Sequence, residues 1–260
     1  MLHLVEKSYK YLNSEKHSCK AKEVKTTLIK QLIEKGDFYH CYQPIYDLNN
    51  WKIIGYEALL RTNHDLETIE IFEQAEQIQL LNRLATSSFT RAAHTYSKSS
   101  NHEVYLFINI HPSTLTTKDF IEEITKLSTL SLKIVCEINE TEQIENFSEF
   151  TNALDQLRRS GVLISLDNIG IGALDIKKLI ECKAHFIKID KFFLEGEHFD
   201  EKKYLFLNLL KHYCHIQGIK LIIEGISSPK RLALTKAWGI DYGQGYILGR
   251  PQHLNEPVRV

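Results

Sequence analysis

The sequence predicts an α/β fold in which eight short strands alternate with helices and close into a (β/α)8 barrel. Three observations predict it: β-rich runs recur after residue 37, amphipathic segments separate nearly all of them, and polar side chains stand at successive strand ends. A length of 260 residues fits one barrel domain with a short extension as well as it fits two domains. A doubly wound open sheet alternates strands and helices in the same way and is the main alternative.

The first 35 residues carry eight lysines against four glutamates. Apolar residues at helical spacing predict two short amphipathic helices here, the first with Leu2, Val5, Tyr9 and Leu12 and the second with Val24, Leu28 and Leu32. We therefore expect a Lys-rich helical extension over residues 1–26 and a barrel domain over residues 27–260. In one interpretation the extension packs on the barrel or on a second copy; in the other it contacts a membrane surface or a protein partner.

The strand candidates are short runs rich in β-branched and aromatic residues. The first two form a hairpin joined by DLNN, and the eighth has the weakest pattern. In order they are FYHCYQPIY (38–46), KIIGYEALL (52–60), VYLFINI (104–110), LKIVCEI (132–138), VLISLD (162–167), HFIKID (185–190), IKLIIE (219–224) and YGQGYIL (242–248).

Helical segments separate the later runs. Residues 142–159 carry one apolar stripe, formed by Ile144, Phe147, Phe150, Leu154 and Leu157. Residues 201–217 form another helix candidate, and SPKRLALTKAWG has a helix start and a glycine stop.

The composition excludes several classes of protein. With 32 Lys+Arg against 33 Asp+Glu the net charge is −1, which argues against DNA or RNA as a general partner. Five cysteines without a CxxC pair favour reduced thiols over structural zinc. No apolar stretch is long enough to span a membrane and the N-terminus lacks a signal-peptide core, so we expect a cytoplasmic protein.

Polar groups stand at seven strand ends in succession. In (β/α) barrels the active site lies at the C-terminal ends of the strands. Several carboxylates at one mouth repel each other unless cations neutralise them, and hard oxygen donors suit Mg²⁺ or Mn²⁺. Together with an arginine and a lysine they predict metal-assisted attack on a phosphate ester. The residues are Glu57, Arg61, Asn109, Glu137, Glu140, Asp167, Asn168, Lys188, Asp190, Glu224 and Gln244.

Seven ordered motifs resemble those of the EAL-domain family, the cyclic-di-GMP phosphodiesterases and their catalytically silent relatives. They cover roughly residues 27–252 and read YQPIYDLNNWKIIGYEALLR, FINIHP, CEINETE, LDNIGIG, FIKID, IIEG and YGQGYILGRP. The resemblance implies a TIM-like (β/α)8 barrel whose first strand is antiparallel to the others. It also implies a two-metal site, with Mg²⁺ or Mn²⁺, that acts on cyclic-di-GMP.

Roles follow from the resemblance position by position. The implied first-metal ligands are Glu57, Asn109, Glu137 and Asp167, while Glu224 and the position of Asn168 belong to the second metal. Lys188 matches a lysine that orients or deprotonates the attacking water, so the implied catalytic set is Lys188, Glu57 and Glu224. Arg61 matches a phosphate contact, and Gln43, Gln244 and Asp190 are assigned to ligand binding. Glu140 matches a glutamate that supports the loop after the fifth strand.

The departures from the family pattern cluster at the second metal. The family usually has DDFGTG where this chain has DNIGIG, so Asn168 replaces a carboxylate and removes one negative charge. Ile169 and Ile171 replace Phe and Thr in the same loop, and Ser227 stands where the family often has a second glutamate. The resemblance therefore implies an intact first-metal set and a weakened second-metal position.

Three hypotheses about function stay open. The chain hydrolyses cyclic-di-GMP to pGpG, slowly because of the DNIGIG loop; or it binds cyclic-di-GMP without cutting it; or it is a protein-interaction scaffold. Retention of Glu57, Glu137 and Lys188 favours the enzyme. The resemblance also implies a homodimer, with the helix of IGALDIKKLI near its contact, and the N-terminal extension is a candidate contact for a protein partner.

Overall fold

A computed structural model describes residues 24–99, 103–139, 144, 146–170, 175–196 and 200–254. The chain divides into two compact units. The first consists of Met1–Phe38 and Arg61–Leu84, and the second of Tyr39–Leu60 and Ala85–Val260.

The first unit contains two helices, α1 at residues 24–35 and α2 at Thr68–Gln77. They are joined by an ion pair of 2.7 Å between Lys25 Nζ and Glu70 Oε1. The second amphipathic helix predicted from the sequence is present, and of its predicted stripe Leu32 is buried whereas Val24 is not. Val24 is 68% exposed, and the buried residues are Ile29, Leu32 and Ile33. The first predicted helix, with the remainder of residues 1–23, lies outside the described residues, and the boundary after residue 26 stays a prediction.

The second unit is organised around a closed barrel of eight strands, β1 to β8 in chain order. Strands β2 to β8 pair in parallel with their neighbours, whereas β1 pairs antiparallel with β8. This confirms the predicted barrel with its antiparallel first strand. The bounds are Tyr39–Asp47, Lys52–Arg61, Tyr105–Ile110, Lys133–Asn139, Leu163–Ile169, Phe186–Ile189, Lys220–Ile223 and Tyr242–Gly243.

Helices follow most strands. The predicted helix at 142–159 begins only at Phe147, because Asn146 caps it by accepting a hydrogen bond of 3.1 Å from the Glu149 amide. The remaining helices α3 to α9 span Leu81–Ser97, Pro112–Leu115, Lys118–Leu127, Phe147–Arg159, Ile176–Glu181, Glu201–Gln217 and Pro229–Ala237. Short 3-10 turns occupy Ser128–Leu130 and Lys191–Leu194. Within the described ranges, no helix combines the length and the apolar character that a membrane crossing requires.

Strand β8 is shorter than the sequence predicts. The run 242–248 is extended only at Tyr242–Gly243, and the chain then turns, with the Leu248 amide donating to the Gly245 carbonyl at 3.0 Å. A Cβ on Gly245 would collide with the backbone of Ile226, so the chain passes here against another backbone segment.

The barrel interior is layered along its axis. An apolar layer of Ile45, Phe107, Val135, Phe186 and Ile222 fills the middle, and all five are essentially inaccessible to solvent. The rings of Phe107 and Phe186 pack edge to face with centroids 4.9 Å apart. This layer closes the barrel beneath the C-terminal ends of the strands and forms the floor of the polar cluster there.

Candidate active site

The centre of the site is Lys188, a fully buried lysine on β6. Four carboxylates surround its ammonium group. Its Nζ lies 2.7 Å from Glu224 Oε1, 2.9 Å from Glu57 Oε2, 3.0 Å from Glu137 Oε1 and 3.9 Å from Asp167 Oδ1. The carboxylates come from β2, β4, β5 and the end of β7, so the barrel brings together side chains that are far apart in the sequence. The convergence expected of these five residues is present.

Side-chain amides hold the carboxylates in place. Asn109 lies opposite Glu137 in the β3–β4 register, and its Nδ2 donates to Glu57 Oε1 at 3.0 Å and to Glu137 Oε2 at 3.2 Å. Gln244 Nε2 donates to Glu57 Oε2 at 2.7 Å and to Gln43 Oε1 at 3.1 Å. Gln43 in turn donates to the Gly249 carbonyl at 2.9 Å. Each of these amides therefore contacts the cluster directly or through one partner.

The ionisation of the cluster follows from burial and crowding. Burial alone would lower the pKa of Lys188, but Glu137, Glu224, Glu57 and Asp167 together raise it well above its usual value. Lys188 is therefore an ammonium ion here. Burial opposes ionisation of Glu57 too, yet Lys188 and the hydrogen bonds from Gln244 and Asn109 hold its pKa below the ordinary value.

The other three carboxylates are not neutralised by one lysine. Burial, with neighbouring charge, raises the pKa of Glu137 well above its ordinary value and also raises that of Asp167. Burial, Asp167 and Glu57 raise the pKa of Glu224 from 4.5 to about 8. One lysine among four carboxylates, three of them buried and Glu224 partly exposed, leaves a deficit of positive charge, and carboxylates in such a position take up protons or bind cations.

Asn168 contacts Asp167 through both its main chain and its side chain. Its backbone has φ +63, in the left-handed region that Asn and Asp tolerate better than other residues with a side chain. Its amide N–H donates to Asp167 Oδ1 at 2.8 Å, and its Nδ2 donates to Asp167 Oδ2 at 3.2 Å. A carboxylate at this position could not donate the second bond and would repel Asp167.

Asp190 is buried at the end of β6 and begins the following 3-10 turn. Its Oδ1 accepts a hydrogen bond of 2.6 Å from the Phe192 amide. The role of Asp190 in ligand binding stays a prediction. In the structure its carboxylate caps the 3-10 turn.

The donor set fits a hard divalent cation. Carboxylate and amide oxygens from Glu57, Glu137, Asp167, Glu224 and Asn109 are the ligand types that Mg²⁺ and Mn²⁺ prefer. Glu137 Oε1 and Gln244 Oε1 are buried and accept no hydrogen bond among the described residues, although the former lies near the Lys188 ammonium. No three acidic, histidine or cysteine groups of the described chain form a ready-made metal cluster, because the carboxylates close around Lys188. Cation binding would have to draw carboxylates away from that ammonium.

The roles predicted for Arg61 and Glu140 stay predictions for different reasons. Arg61 is the last residue of β2 and belongs to the first compact unit, so its predicted phosphate contact stays a prediction. Glu140 and Ile171 lie outside the described residues, and the proposed loop support by Glu140 also stays a prediction.

A cleft of about 450 Å³ beside the cluster contains residues that the sequence did not single out. Its lining includes Glu57, Glu224 and Gln244 of the site, and also Arg231 and Tyr246. Arg231 Nη1 donates to the Gly225 carbonyl at 2.9 Å and so fixes the loop after β7. Its only sequence signal is a cation in the first turn of a capped helix.

The EAL domain family model matches residues 27–251. This chain belongs to the EAL domain family. The match covers the barrel and every residue of the carboxylate cluster, which agrees with the ordered motifs in the sequence.

Two curated EAL relatives are named as phosphodiesterases. The cyclic di-GMP phosphodiesterase PdeB of Shewanella oneidensis is 28% identical over 237 residues, which cover 87% of this chain and 28% of that protein. The cyclic di-GMP phosphodiesterase RocR of Pseudomonas aeruginosa is 26% identical over 84% of this chain and 58% of that protein. This chain thus spans less than two thirds of either relative.

A solved EAL structure has the same fold. The EAL enzyme Bd1971, in its cAMP and cyclic-di-GMP bound form, superimposes with a TM-score of 0.80 and 25% identity. The superposition covers 91% of this chain and 68% of that chain.

Proposed function

We propose that this EAL domain hydrolyses one phosphodiester bond of cyclic-di-GMP, with Mg²⁺ or Mn²⁺, and releases linear pGpG. The observation that carries the proposal is the buried Lys188 with four carboxylates and two amides around it, at the C-terminal mouth of the barrel. The names of the two curated relatives support the same substrate and reaction.

Metal ions at this site would activate a water molecule and neutralise charge on the phosphate. In the proposal Glu57, Asn109, Glu137 and Asp167 hold the first ion, and Glu224 with Asn168 holds the second. Gln244 and Asn109 keep Glu57 oriented through the hydrogen bonds described above. The Lys188 ammonium holds the attacking water by donating a hydrogen bond to it, and Arg61 contacts a phosphate oxygen. Gln43, Gln244 and Asp190 take part in ligand binding.

A second candidate function is a receptor that binds cyclic-di-GMP without hydrolysing it. The observation that favours it is Asn168, whose side chain donates a hydrogen bond to Asp167. The amide adds no negative charge to the second-metal position. A two-metal reaction needs both ions, so a weak second site lowers turnover more than it lowers nucleotide binding.

The deciding experiment incubates the purified protein with cyclic-di-GMP and excess Mn²⁺ and follows pGpG by chromatography. We expect product that is lost in Glu57→Gln, which keeps the shape of the side chain but removes its charge. Glu201→Gln, at an exposed position on α8, is the control for the same chemical change and should behave as the parent protein. No product with tight nucleotide binding would favour the receptor, and absence of both would favour the scaffold.

We also propose a homodimer through α7 and α8. Large apolar side chains are more than half exposed on both helices, namely Ile176, Ile180, Leu205, Leu209 and Ile216. Tyr213 of α8 donates to the Leu179 carbonyl of α7 at 3.2 Å, so the two helices are in contact. Exposed apolar area of this kind is typical of protein interfaces. Light scattering should give twice the chain mass, reduced to one chain mass by Leu209→Lys. A protein partner for residues 1–26 stays a further proposal.

A further inference from the structure

The 3-10 turn Lys191–Leu194, called here the β6 turn, follows directly on the strand that carries Lys188. Asp190 begins it through the hydrogen bond from the Phe192 amide. The turn is therefore attached directly to the end of β6, and Asp190 lies two residues after Lys188.

The β6 turn packs against the end of β5 and the residue after it, the stretch Asn168–Gly170, which is called here the Asn168 loop. Gly170 in this loop has φ +114, and a Cβ there would lie 2.5 Å from Phe193 Cε2, so the Phe193 ring rests on the glycine backbone. The Asp190 amide also donates to the Ile169 carbonyl at 3.2 Å. Movement of the turn would thus release the segment next to Asn168.

The same turn packs against the loop that carries Glu224. Gly225 has φ +69, and a Cβ there would collide with Cβ of Lys191. The Glu224 amide donates to the Ile189 carbonyl at 3.0 Å, so the start of this loop is paired with the end of β6. The β6 turn is therefore wedged between the loops that bear Asn168 and Glu224.

Lys203, in the first turn of α8, binds the β6 turn through its side chain. Its Nζ donates to the Phe192 carbonyl at 2.6 Å and to the Glu195 carbonyl at 2.9 Å, and it lies 4.1 Å from the centroid of the Phe192 ring. Within the described residues this ammonium has no carboxylate partner, and its hydrogen bonds go to the turn. Charge-assisted bonds of this kind are stronger than neutral ones.

We infer that Lys203 is a positioning residue, which fixes the Asn168 and Glu224 loops through the β6 turn. The inference rests on the proposed function only in assigning those two residues to the second metal. The contacts of the Lys203 side chain are to the β6 turn and not to the carboxylate cluster, and its effect is transmitted through Phe193 to one loop and through Lys191 to the other.

Hydrogen–deuterium exchange of the metal-free full chain tests the inference directly. In Lys203→Met we expect faster exchange in the segments 166–170 and 223–227 as well as in 190–196. Lys203→Arg should restore the parent pattern because a guanidinium group can donate to both carbonyls. Lys202→Met, the adjacent exposed lysine with no side-chain contact in the described structure, is the matched control and should leave all three segments unchanged. Faster exchange confined to 190–196 would overturn the inference.

Phe193→Leu removes the contact with Gly170 and leaves the contact of Lys191 with Gly225. It is also the test to use if Lys203→Met does not fold. It should speed exchange at 166–170 and leave 223–227 as in the parent protein; equal change in both, or in neither, would contradict the inference. In the hydrolysis assay, Lys203→Met should lower kcat roughly tenfold with KM within about twofold, the usual size of an effect on groups that support metal ligands. An inactive parent protein would refute the proposed function and leave the exchange result to decide the role of Lys203.

Discussion

Asn168 combines two properties that have separate physical origins. Its backbone conformation, with φ +63, is one that Asn and Asp share, so the loop geometry does not depend on which of them is present. Its amide group, in contrast, supplies a hydrogen bond to Asp167 that only Asn can donate. The substitution therefore changes the charge of the site while it preserves the backbone.

Asn168→Asp should raise turnover of cyclic-di-GMP about tenfold or more, because a second carboxylate strengthens the second-metal position. The same variant should melt at a lower temperature than the parent protein in EDTA, since the new charge faces Asp167. Addition of Mn²⁺ should raise its melting temperature by more than it raises that of the parent protein. Asn152→Asp makes the same chemical change at an exposed position of α6 and should have neither effect. Turnover that stays flat at saturating Mn²⁺ would show that Asn168 does not limit the reaction.

At this scale the sequence predicted the identities of the cluster but not its contacts. In the sequence, Glu57, Glu137 and Lys188 stand toward the ends of strand candidates, and the rule that strand ends share one mouth of a (β/α) barrel predicts that they converge. That the carboxylates would close around Lys188 itself could not be predicted, because it depends on side-chain rotamers and on the charge deficit of the cluster. Arg231 was missed for a related reason, since a lone cation in a helix has no characteristic pattern.

The start of α9 shows how a helix boundary is fixed locally. Ser228 precedes the helix with an extended backbone, and its Oγ accepts a hydrogen bond of 3.3 Å from the Arg231 amide. Pro229 occupies the first helical position, where the missing N–H costs nothing. The Arg231 side chain donates to the Gly225 carbonyl in the loop after β7, so the cap also stabilises residues that line the cleft.

Ser228→Ala should lower the free energy of unfolding by about 1 kcal/mol, because one N-terminal amide of α9 loses its acceptor. Urea denaturation measures the change. Ser227→Ala is the neighbouring control, since the Ser227 side chain is exposed, and its effect should stay within about 0.5 kcal/mol. Equal losses in the two variants would contradict the capping role of Ser228.

Element boundaries were predicted where a local signal exists and missed where a tertiary contact decides. The helix at 201–217 agrees with its prediction because Asp200 caps one end and Gly218, at φ +69, ends the other. The predicted length of the eighth strand was wrong, because Gly245 packs against the Ile226 backbone, about 20 residues away in sequence. The buried face of α1 was wrong by a fraction of a turn, since Ile29 and Ile33 were not counted in the stripe.

For the whole molecule, the carboxylate cluster links stability to pH. The pKa of Glu224 is about 8 in the folded protein and near its ordinary 4.5 when the chain is unfolded. The folded state therefore binds more protons than the unfolded state between these two values. It follows that this group stabilises the metal-free protein fully below about pH 4.5 and loses its contribution as the pH rises through about 8.

In EDTA the protein should accordingly unfold at a lower urea concentration at about pH 8 than at about pH 5.5. Excess Mn²⁺ should reduce or reverse this difference, because metal binding needs ionised carboxylates and becomes stronger as the pH rises. Glu224→Gln should shrink the pH difference in EDTA, and comparison with it removes the contribution of other titrating groups. A metal-free protein more stable at the higher pH, with the variant unchanged, would contradict this account.

The barrel itself was predictable because strand and helix periods alternate along the chain, but its closure was not encoded locally. A doubly wound sheet would use the same elements, and the pairing of β1 with β8 distinguishes the two folds. The short DLNN connection predicts a hairpin and therefore opposite directions for β1 and β2, and the family resemblance places this antiparallel strand inside a closed barrel.

That final strand pair also sets the order of events when the chain folds. Tyr46 pairs with Gly243, about 200 residues further along the chain, whereas β1 and β2 are joined by a tight turn. The hairpin can form early, and one edge of β1 then stays unpaired until β8 is in place. An unpaired edge is a template for association with other chains. We therefore expect a delay in the pairing of β8 with β1 to lower the refolding yield and to favour aggregation.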